Sequence, residues 1–259
     1  MSDLTDRITI VTGTARGLGA VLAERLAGYG ATVIACDINA EQGAVTVEGL
    51  DGVTFRELDV TDADAWTALT DAVVAEHGRI DVLVNNAAIL HLGTIATTPP
   101  ETFRKVVDVN TVGPFLGIKA VSKHMVEAGS GSIVNISSID GLEGMNGVAA
   151  YASSKWGVRG LAKSAALELG RSGVRVNTVC NAGGNPEMYD PWMDQLADQM
   201  RDMIDYQKHR AIPGGVSLEQ IADTVAFLAS DAAAGITGAD IPVDNGASAG
   251  SWLPPLNTL

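Results

Sequence analysis

The stretch Ile8-Thr9-Ile10-Val11-Thr12-Gly13-Thr14-Ala15-Arg16-Gly17-Leu18-Gly19 decides the fold. Five β-branched residues in succession suit a strand buried on both faces. Three glycines then interrupt the run, and from residue 17 the apolar positions return at helical spacing. Glycine lets the chain turn sharply and lets an anionic group approach the backbone, where free N–H groups and the positive end of a helix dipole bind its oxygens. A glycine turn with no ligand is the alternative reading, but the motif's place between a strand and a helix argues for a phosphate site.

Working outward, β-branched runs recur at Ile8–Thr12, Thr32–Cys36, Val53–Leu58, Val82–Asn85, Ser132–Ser137, Val174–Cys180 and Ile241–Val243. Helical patterns lie between them at 17–28, 40–48, 62–77, 100–127, 149–170 and 217–230. Continuous apolar strands alternating with helices make βαβ units, and right-handed crossovers wind them into one parallel sheet. The expected fold class is therefore α/β, a doubly wound seven-stranded parallel sheet of the Rossmann type. It forms a single domain over 1–259, with a substrate-lid insert at about 183–212.

The 259 residues carry 31 acidic side chains against 17 Lys plus Arg, a net charge of −14. That field repels nucleic acid and anionic lipid, so neither is an expected partner. At 46% hydrophobic and 19% charged residues, the chain is apolar enough to bury a large core. Cys36 and Cys180 are too few for a disulfide framework or a thiolate zinc site, and no metal is expected. No basic leader and no long uninterrupted apolar run occurs, which points to a soluble protein of a reducing, cytoplasmic compartment.

Asp37 ends the second strand 18 residues beyond Gly19, where a carboxylate accepts hydrogen bonds from the ribose hydroxyls of an adenosine. A 2′-phosphate would meet it as a like charge, so the expected cofactor is NAD. Arg16 in the glycine loop weakens that selection slightly, while Ile38 offers no second cation. A strand-end cap is the other reading of Asp37. Asp59, with Val60, stands after the third strand, either at the adenine edge or as a solvated cap before Asp62.

The motifs that follow resemble those of the short-chain dehydrogenase/reductases from Ile8 to Gly246. They are Thr12-Gly13-x-x-x-Gly17-x-Gly19, Asn85-Asn86-Ala87-Ala88, Asn110, Ser138 and Tyr151-Ala-Ser-Ser-Lys155. Stretches such as Ile133-Val-Asn-Ile-Ser-Ser138 and Ser154-Lys-Trp-Gly-Val-Arg-Gly160 are similar to NAD-dependent hydroxysteroid and alicyclic alcohol dehydrogenases. The resemblance implies cofactor contacts from Gly13, Arg16, Gly17, Leu18, Gly19, Asp37, Asp59, Val60, Asn86, Ala87, Tyr151, Lys155 and Gly184. It also implies that Ser138 orients the substrate oxygen, and that Asn110 joins a water-linked proton relay behind Lys155.

Tyr151 and Lys155, four residues apart on a helix, share one face. A free tyrosine's pKa near 10 is too high for a base at neutral pH, and a nearby ammonium is expected to favour the phenolate. Tyr151 is then the general base for alcohol oxidation and the general acid for ketone reduction. Each residue also has a plain structural reading: Asn110 as a satisfied buried amide, Ser138 as a polar strand end, and the Tyr151–Lys155 pair as an amphipathic face with a snorkelling lysine.

Two departures from the family pattern stand out. The run Asn86-Ala87-Ala88 has an alanine where the family usually has glycine, adding one methyl beside the cofactor ribose. After the sixth strand the run Asn177-Thr-Val-Cys-Asn181-Ala-Gly-Gly184-Asn185-Pro186 lacks the usual Pro-Gly turn and following threonine. Proline supplies neither hydroxyl nor N–H, so either other groups such as Asn181 or Asn185 orient the nicotinamide, or the cofactor affinity is unusually low.

Substrate choice should lie in Ile89–Leu92, in Leu142–Val148, and in Met188-Tyr-Asp-Pro-Trp192-Met193 with Leu196, Met200 and Met203. Met and Trp there suit either packing or an adaptable apolar lid. His91 and Glu143 serve either as polar contacts or as ordinary surface residues. The expected substrate is a bulky apolar secondary alcohol or its ketone. Alternatives are a sugar, polyol or acyl-chain ketone, or a weakly catalytic dinucleotide-binding regulator. Family members pair their long helices between subunits, so a homotetramer is expected, with the apolar run Ser251–Leu256, including Trp252 and Leu253, packed across an interface.

Overall fold

A computed structural model of the chain describes residues 2–183, 186–192 and 210–250. The elements run β1 (Ile8–Thr12), α1 (Gly17–Gly28), β2 (Thr32–Asp37), α2 (Ala40–Val47), β3 (Val53–Glu57), α3 (Ala63–His77) and β4 (Val82–Asn85). They continue with α4 (Pro100–Val107), α5 (Gly113–Ala128), β5 (Gly131–Ile136), α6 (Ala149–Leu169), β6 (Val174–Asn181), α7 (Leu218–Ala229) and β7 (Asp240–Val243). All seven strands pair in parallel in the order β3-β2-β1-β4-β5-β6-β7. The order reverses between β1 and β4, and ligands of such sheets bind in the crevice that this reversal opens at the carboxyl ends of the strands.

The unbroken apolar strands are explained by a core on each side. On one face Val11, Val33, Ala35 and Val84 meet Leu22 and Leu26 of α1 and Ile221 and Val225 of α7. On the other, Ile10, Ile34 and Leu83 meet Trp66 of α3, Val121 and Met125 of α5, and Ala162 of α6. Successive residues of each strand point to opposite cores, so both sets must be apolar. Trp66, 1% exposed, places its indole N–H on the Val60 carbonyl at 3.0 Å.

The expected helix over 100–127 is not one helix. A π-turn, Asp108–Val112, separates α4 from α5. Pro114 has no N–H, which removes the α-helical donor to the carbonyl of Asn110. The Asn110 side chain meanwhile bonds across to Ile89, and this contact holds the widened turn in place. The loops after β4 and β5 are zipped together, Gly93 pairing with Val148 and its N–H reaching the Gly147 carbonyl at 2.8 Å.

Gly184, Asn185, most of the expected lid (193–209, with Met193, Leu196, Met200 and Met203) and Ser251–Leu256, with Trp252 and Leu253, lie outside the described residues.

Candidate active site

A cleft of about 770 Å³ at the carboxyl edge of the sheet is lined at one end by Asp37, Ile38 and Asn39 and elsewhere by Gly13, Arg16, Asn86, Tyr151, Lys155 and Asn181. Its floor is built by the glycine turn. Gly13 has φ +72°, and a Cβ there would stand 2.7 Å from the Ala87 Cα. A Cβ on Gly19 would fall 1.8 Å from the Gly13 carbonyl oxygen, so α1 can start beneath the turn only because residue 19 has none. Thr12 clips β1 to β4, its hydroxyl accepting the N–H groups of Asn86 and Ala87 at 3.0 and 3.1 Å. Asn86 returns the contact, its amide donating to the Thr12 and Gly13 carbonyls at 2.9 and 3.1 Å.

The first turn of α1 is left without a side-chain cap, since its N-cap residue, Arg16, bonds none of the turn's N–H groups. Those donors are thereby available to an anion. Leu18 roots the turn in the core and lines the cleft; Gly17 and Gly19 shape the turn without lining it. Arg16 is directed at Glu187, at 3.5 Å.

Asp37 is oriented by two main-chain donors, Ala15 N–H to Oδ2 and Asn39 N–H to Oδ1, both at 2.9 Å. It thus serves as a strand-end anchor and also lines the cleft. Asp59 accepts Thr61 N–H and Oγ1 at 2.8 and 2.7 Å, while the cap of α3 is Asp62. Val60 lines the cleft beside it.

At the other end, Tyr151 and Lys155 share the face of α6, as their spacing requires. Lys155 is 2% exposed, its ammonium donating to the Ile136 carbonyl at 2.8 Å and lying 5.5 Å from the Tyr151 ring centre. Burial pulls Lys155 down to about 8. The lysine is expected to favour the Tyr151 phenolate, but in this structure burial acts on the phenol in the opposite direction. Burial above all, then the negative charge of Asp140 and the neighbouring Tyr189 phenol, pushes the Tyr151 phenol up, and only the Ser138 hydroxyl pulls it down. The physical reason is that the phenol is shut away from water with the Asp140 carboxylate near it, while the Lys155 ammonium is bonded to the Ile136 carbonyl.

Ser138 caps the 3₁₀ turn Ile139–Gly141. Its hydroxyl donates to Asp140 Oδ2 at 3.0 Å and accepts the Asp140 N–H at 3.1 Å. Asn110, 1% exposed, accepts Ile89 N–H at 2.8 Å and donates to the Ile89 carbonyl and to Ser154 Oγ at 2.9 and 3.0 Å. Every amide contact is thus satisfied within the fold, as the plain reading of this residue requires. His91 packs edge-on to Trp192 with ring centres 6.2 Å apart, and Glu143 is exposed. Asp140 is the residue that motif reading missed; an acidic side chain two places after Ser138 was its only signal.

Asn181 lines the cleft with a buried Oδ1 that has no hydrogen-bond partner among the described residues, while its amide donates to the Gly183 carbonyl at 2.9 Å. The side-chain-free cradle over the glycine turn, the uncapped helix and this unpaired acceptor together fit a dinucleotide.

A family profile described as enoyl-(acyl carrier protein) reductase matches residues 13–248. A 3-alpha-(or 20-beta)-hydroxysteroid dehydrogenase of Mycobacterium bovis is 42% identical over 95% of this chain and 91% of its own. The chain belongs to the short-chain dehydrogenase/reductases. A trans-4-hydroxycyclohexanecarboxylate dehydrogenase of Sinomonas cyclohexanicum is 38% identical over 98% of both chains. The crystal structure of levodione reductase superposes with a TM-score of 0.88 at 32% identity, covering 95% of this chain and 98% of that one. As a short-chain dehydrogenase/reductase the protein is an oxidoreductase that works with a nicotinamide dinucleotide. No helix among the described residues is long and apolar enough to cross a membrane.

Proposed function

We propose that this chain interconverts a bulky, largely apolar secondary alcohol and its ketone with NAD. One observation carries the reading: Tyr151 and Lys155 share a single cleft with a carboxylate, Asp37, held by two main-chain donors at its far end. When bound, the dinucleotide supplies the hydride acceptor or donor at C4 of its nicotinamide. Tyr151 passes the proton at the substrate oxygen, Ser138 orients that oxygen, and the Lys155 ammonium holds the nicotinamide ribose. Asn110 fixes the π-turn against Ile89 and Ser154, behind Lys155, and any relay through it runs by its main chain, since the amide is engaged.

The choice of NAD over NADP rests on charge. A 2′-phosphate would enter beside Asp37, and the nearby Arg16 is already paired with Glu187. Asn181 Oδ1 suits the carboxamide N–H₂ where the family's usual turn is missing. Gly13, Leu18, Asp59, Val60, Asn86 and Ala87 surround the remainder of the cofactor, with Gly17 and Gly19 shaping the loop that carries it. Ile89, Val109 and Met188 give the cleft an apolar wall. This suits the cyclic alcohols and ketones for which the relatives are named better than a polyol.

A homotetramer is the expected assembly, because Phe103 of α4, Phe115 of α5 and Trp156 and Leu167 of α6 are exposed on neighbouring helices, Leu167 by 84%. The working compartment is expected to be the cytoplasm. The test is a panel of steroid and alicyclic alcohols and a linear polyol, each offered with NAD and NADP and followed at the reduced-nicotinamide absorbance. Turnover of cyclic alcohols with NAD is the expected result; turnover of the polyol alone, or with NADP alone, refutes the reading. A light-scattering mass of one chain refutes the assembly.

A further inference from the structure

Ser138 and Asp140 form a closed hydrogen-bonded ring at the end of β5, and donor counting within it has a chemical consequence. A hydroxyl has one proton and two lone pairs. When Asp140 is ionised, the Ser138 proton is committed to Oδ2 at 3.0 Å and one lone pair to the Asp140 N–H at 3.1 Å. One lone pair remains, beside the Tyr151 phenol that the Ser138 hydroxyl also meets, so Ser138 has no proton to offer a substrate oxygen. When Asp140 is protonated, its carboxyl O–H donates to that second lone pair and the serine proton is released. Ser138 then donates. Ketone and alcohol oxygens both offer a lone pair to that proton, and the alcohol's own proton is the one that Tyr151 takes.

We propose that Asp140 is a positioning residue whose protonation state decides whether the Ser138 hydroxyl is free to donate to the substrate oxygen, and so sets with pH how well that oxygen is held. The inference rests on the reading of Ser138 and Tyr151 given above.

The surroundings favour the protonated carboxyl more than water does. Burial pushes the Asp140 carboxyl up from the ordinary carboxylate value, opposed by its bond to Ser138 and by Lys155. The groups facing it are Lys155 and Tyr151 from α6 and Tyr189 from the turn after β6, and its charge pushes both phenols up. Arg159 binds the adjacent Gly141 carbonyl, but its charge is met by Asp240 at 2.9 Å. Two effects of one carboxylate are thus separable. Its charge acts on the proton transfer of Tyr151 and appears in kcat, whereas the donor count at Ser138 acts on substrate binding and appears in KM.

The test measures KM and kcat against pH for ketone reduction and alcohol oxidation, in the wild type, Asp140→Asn and Asp140→Ala, with the cyclic pair turned over fastest in the panel above. Asparagine copies the protonated state, since its amide donates to Ser138. Alanine releases the serine proton but leaves a lone pair free and keeps the N–H that the turn needs. In the wild type the ketone KM should rise about two- to tenfold as pH passes upward through the Asp140 ionisation, the value of one hydrogen bond. In both variants it should stay at the wild-type low-pH level. The alcohol KM should follow the same pattern, because its oxygen takes the serine proton while its own proton goes to Tyr151. A ketone KM that keeps its wild-type pH dependence in Asp140→Asn or in Asp140→Ala overturns the proposal. Tyr151→Phe, assayed alongside, separates the failures. If it keeps turnover, the reading of the site is wrong; if it is inactive while Asp140→Asn behaves as wild type, only the role of Asp140 is wrong.

Discussion

Replacing Asp37 by Ala should alter the choice of cofactor as well as its affinity. The carboxylate does two things in this fold: it anchors the glycine loop through Ala15 N–H and β2 through Asn39 N–H, and it presents its charge to the cleft. Loss of the anchor weakens every dinucleotide alike. Loss of the charged contact to the ribose hydroxyls weakens NAD by about 1.5–3 kcal/mol, or roughly 10- to 100-fold. NADP gains in addition. Two unit charges about 4 Å apart repel by roughly 1 kcal/mol in water and 4 kcal/mol at an effective dielectric near 20. In an open cleft the lower figure governs, giving about a fivefold relief. Taken together, the NADP-to-NAD affinity ratio should move by at least about 50-fold, the product of the two lower bounds. Titration calorimetry of each cofactor into wild type and variant measures it. A ratio unchanged while both affinities fall equally would show that Asp37 acts only as a loop anchor.

Tyr151→Phe should abolish hydride transfer while calorimetric NAD binding persists, because the ring remains and the proton-transfer group does not. In Asn181→Ala the affinity for NAD should fall about two- to twelvefold, one hydrogen bond's worth, with the urea midpoint of the free protein unchanged; equal affinity would mean that other groups hold the carboxamide. Lys155 predicts a pH-dependent stability. Its folded value of about 8 lies below its ordinary 10.5, so the unfolded chain binds more protons between these values and wild-type stability rises with pH across that window. Lys155→Met should therefore exceed the wild type below pH 8 by on the order of 3 kcal/mol, the difference shrinking as the pH rises towards 10.5. A difference that does not vary with pH in denaturant titrations would contradict the assignment.

The fold was legible because its signals are local. β-Branched runs and helical spacing are properties of adjacent residues, and the observed β1, α1 and β4 match their expected bounds residue for residue. The glycine turn was equally legible, since the absence of a Cβ is written in the sequence. So was the pairing of Tyr151 with Lys155, because four residues on a helix is a distance. The break at Asp108–Val112 had a local signal too, Pro114, yet what holds the turn is Ile89, twenty-one residues from Asn110 along the chain. No periodicity reports such a contact.

Electrostatics was decided by the tertiary structure alone. From spacing, Lys155 should have lowered the pKa of Tyr151; folding instead buries the phenol, turns the ammonium to the Ile136 carbonyl and brings Asp140 against the site. A pKa depends on solvent exclusion and on charges from every neighbouring element, neither of which is encoded at the residue itself. The same holds for Arg16 and Asn181, whose types were plain in the sequence. That Arg16 meets Glu187, and that Asn181 keeps a buried oxygen unpaired, followed only when β6 and the turn after it were folded over the cleft.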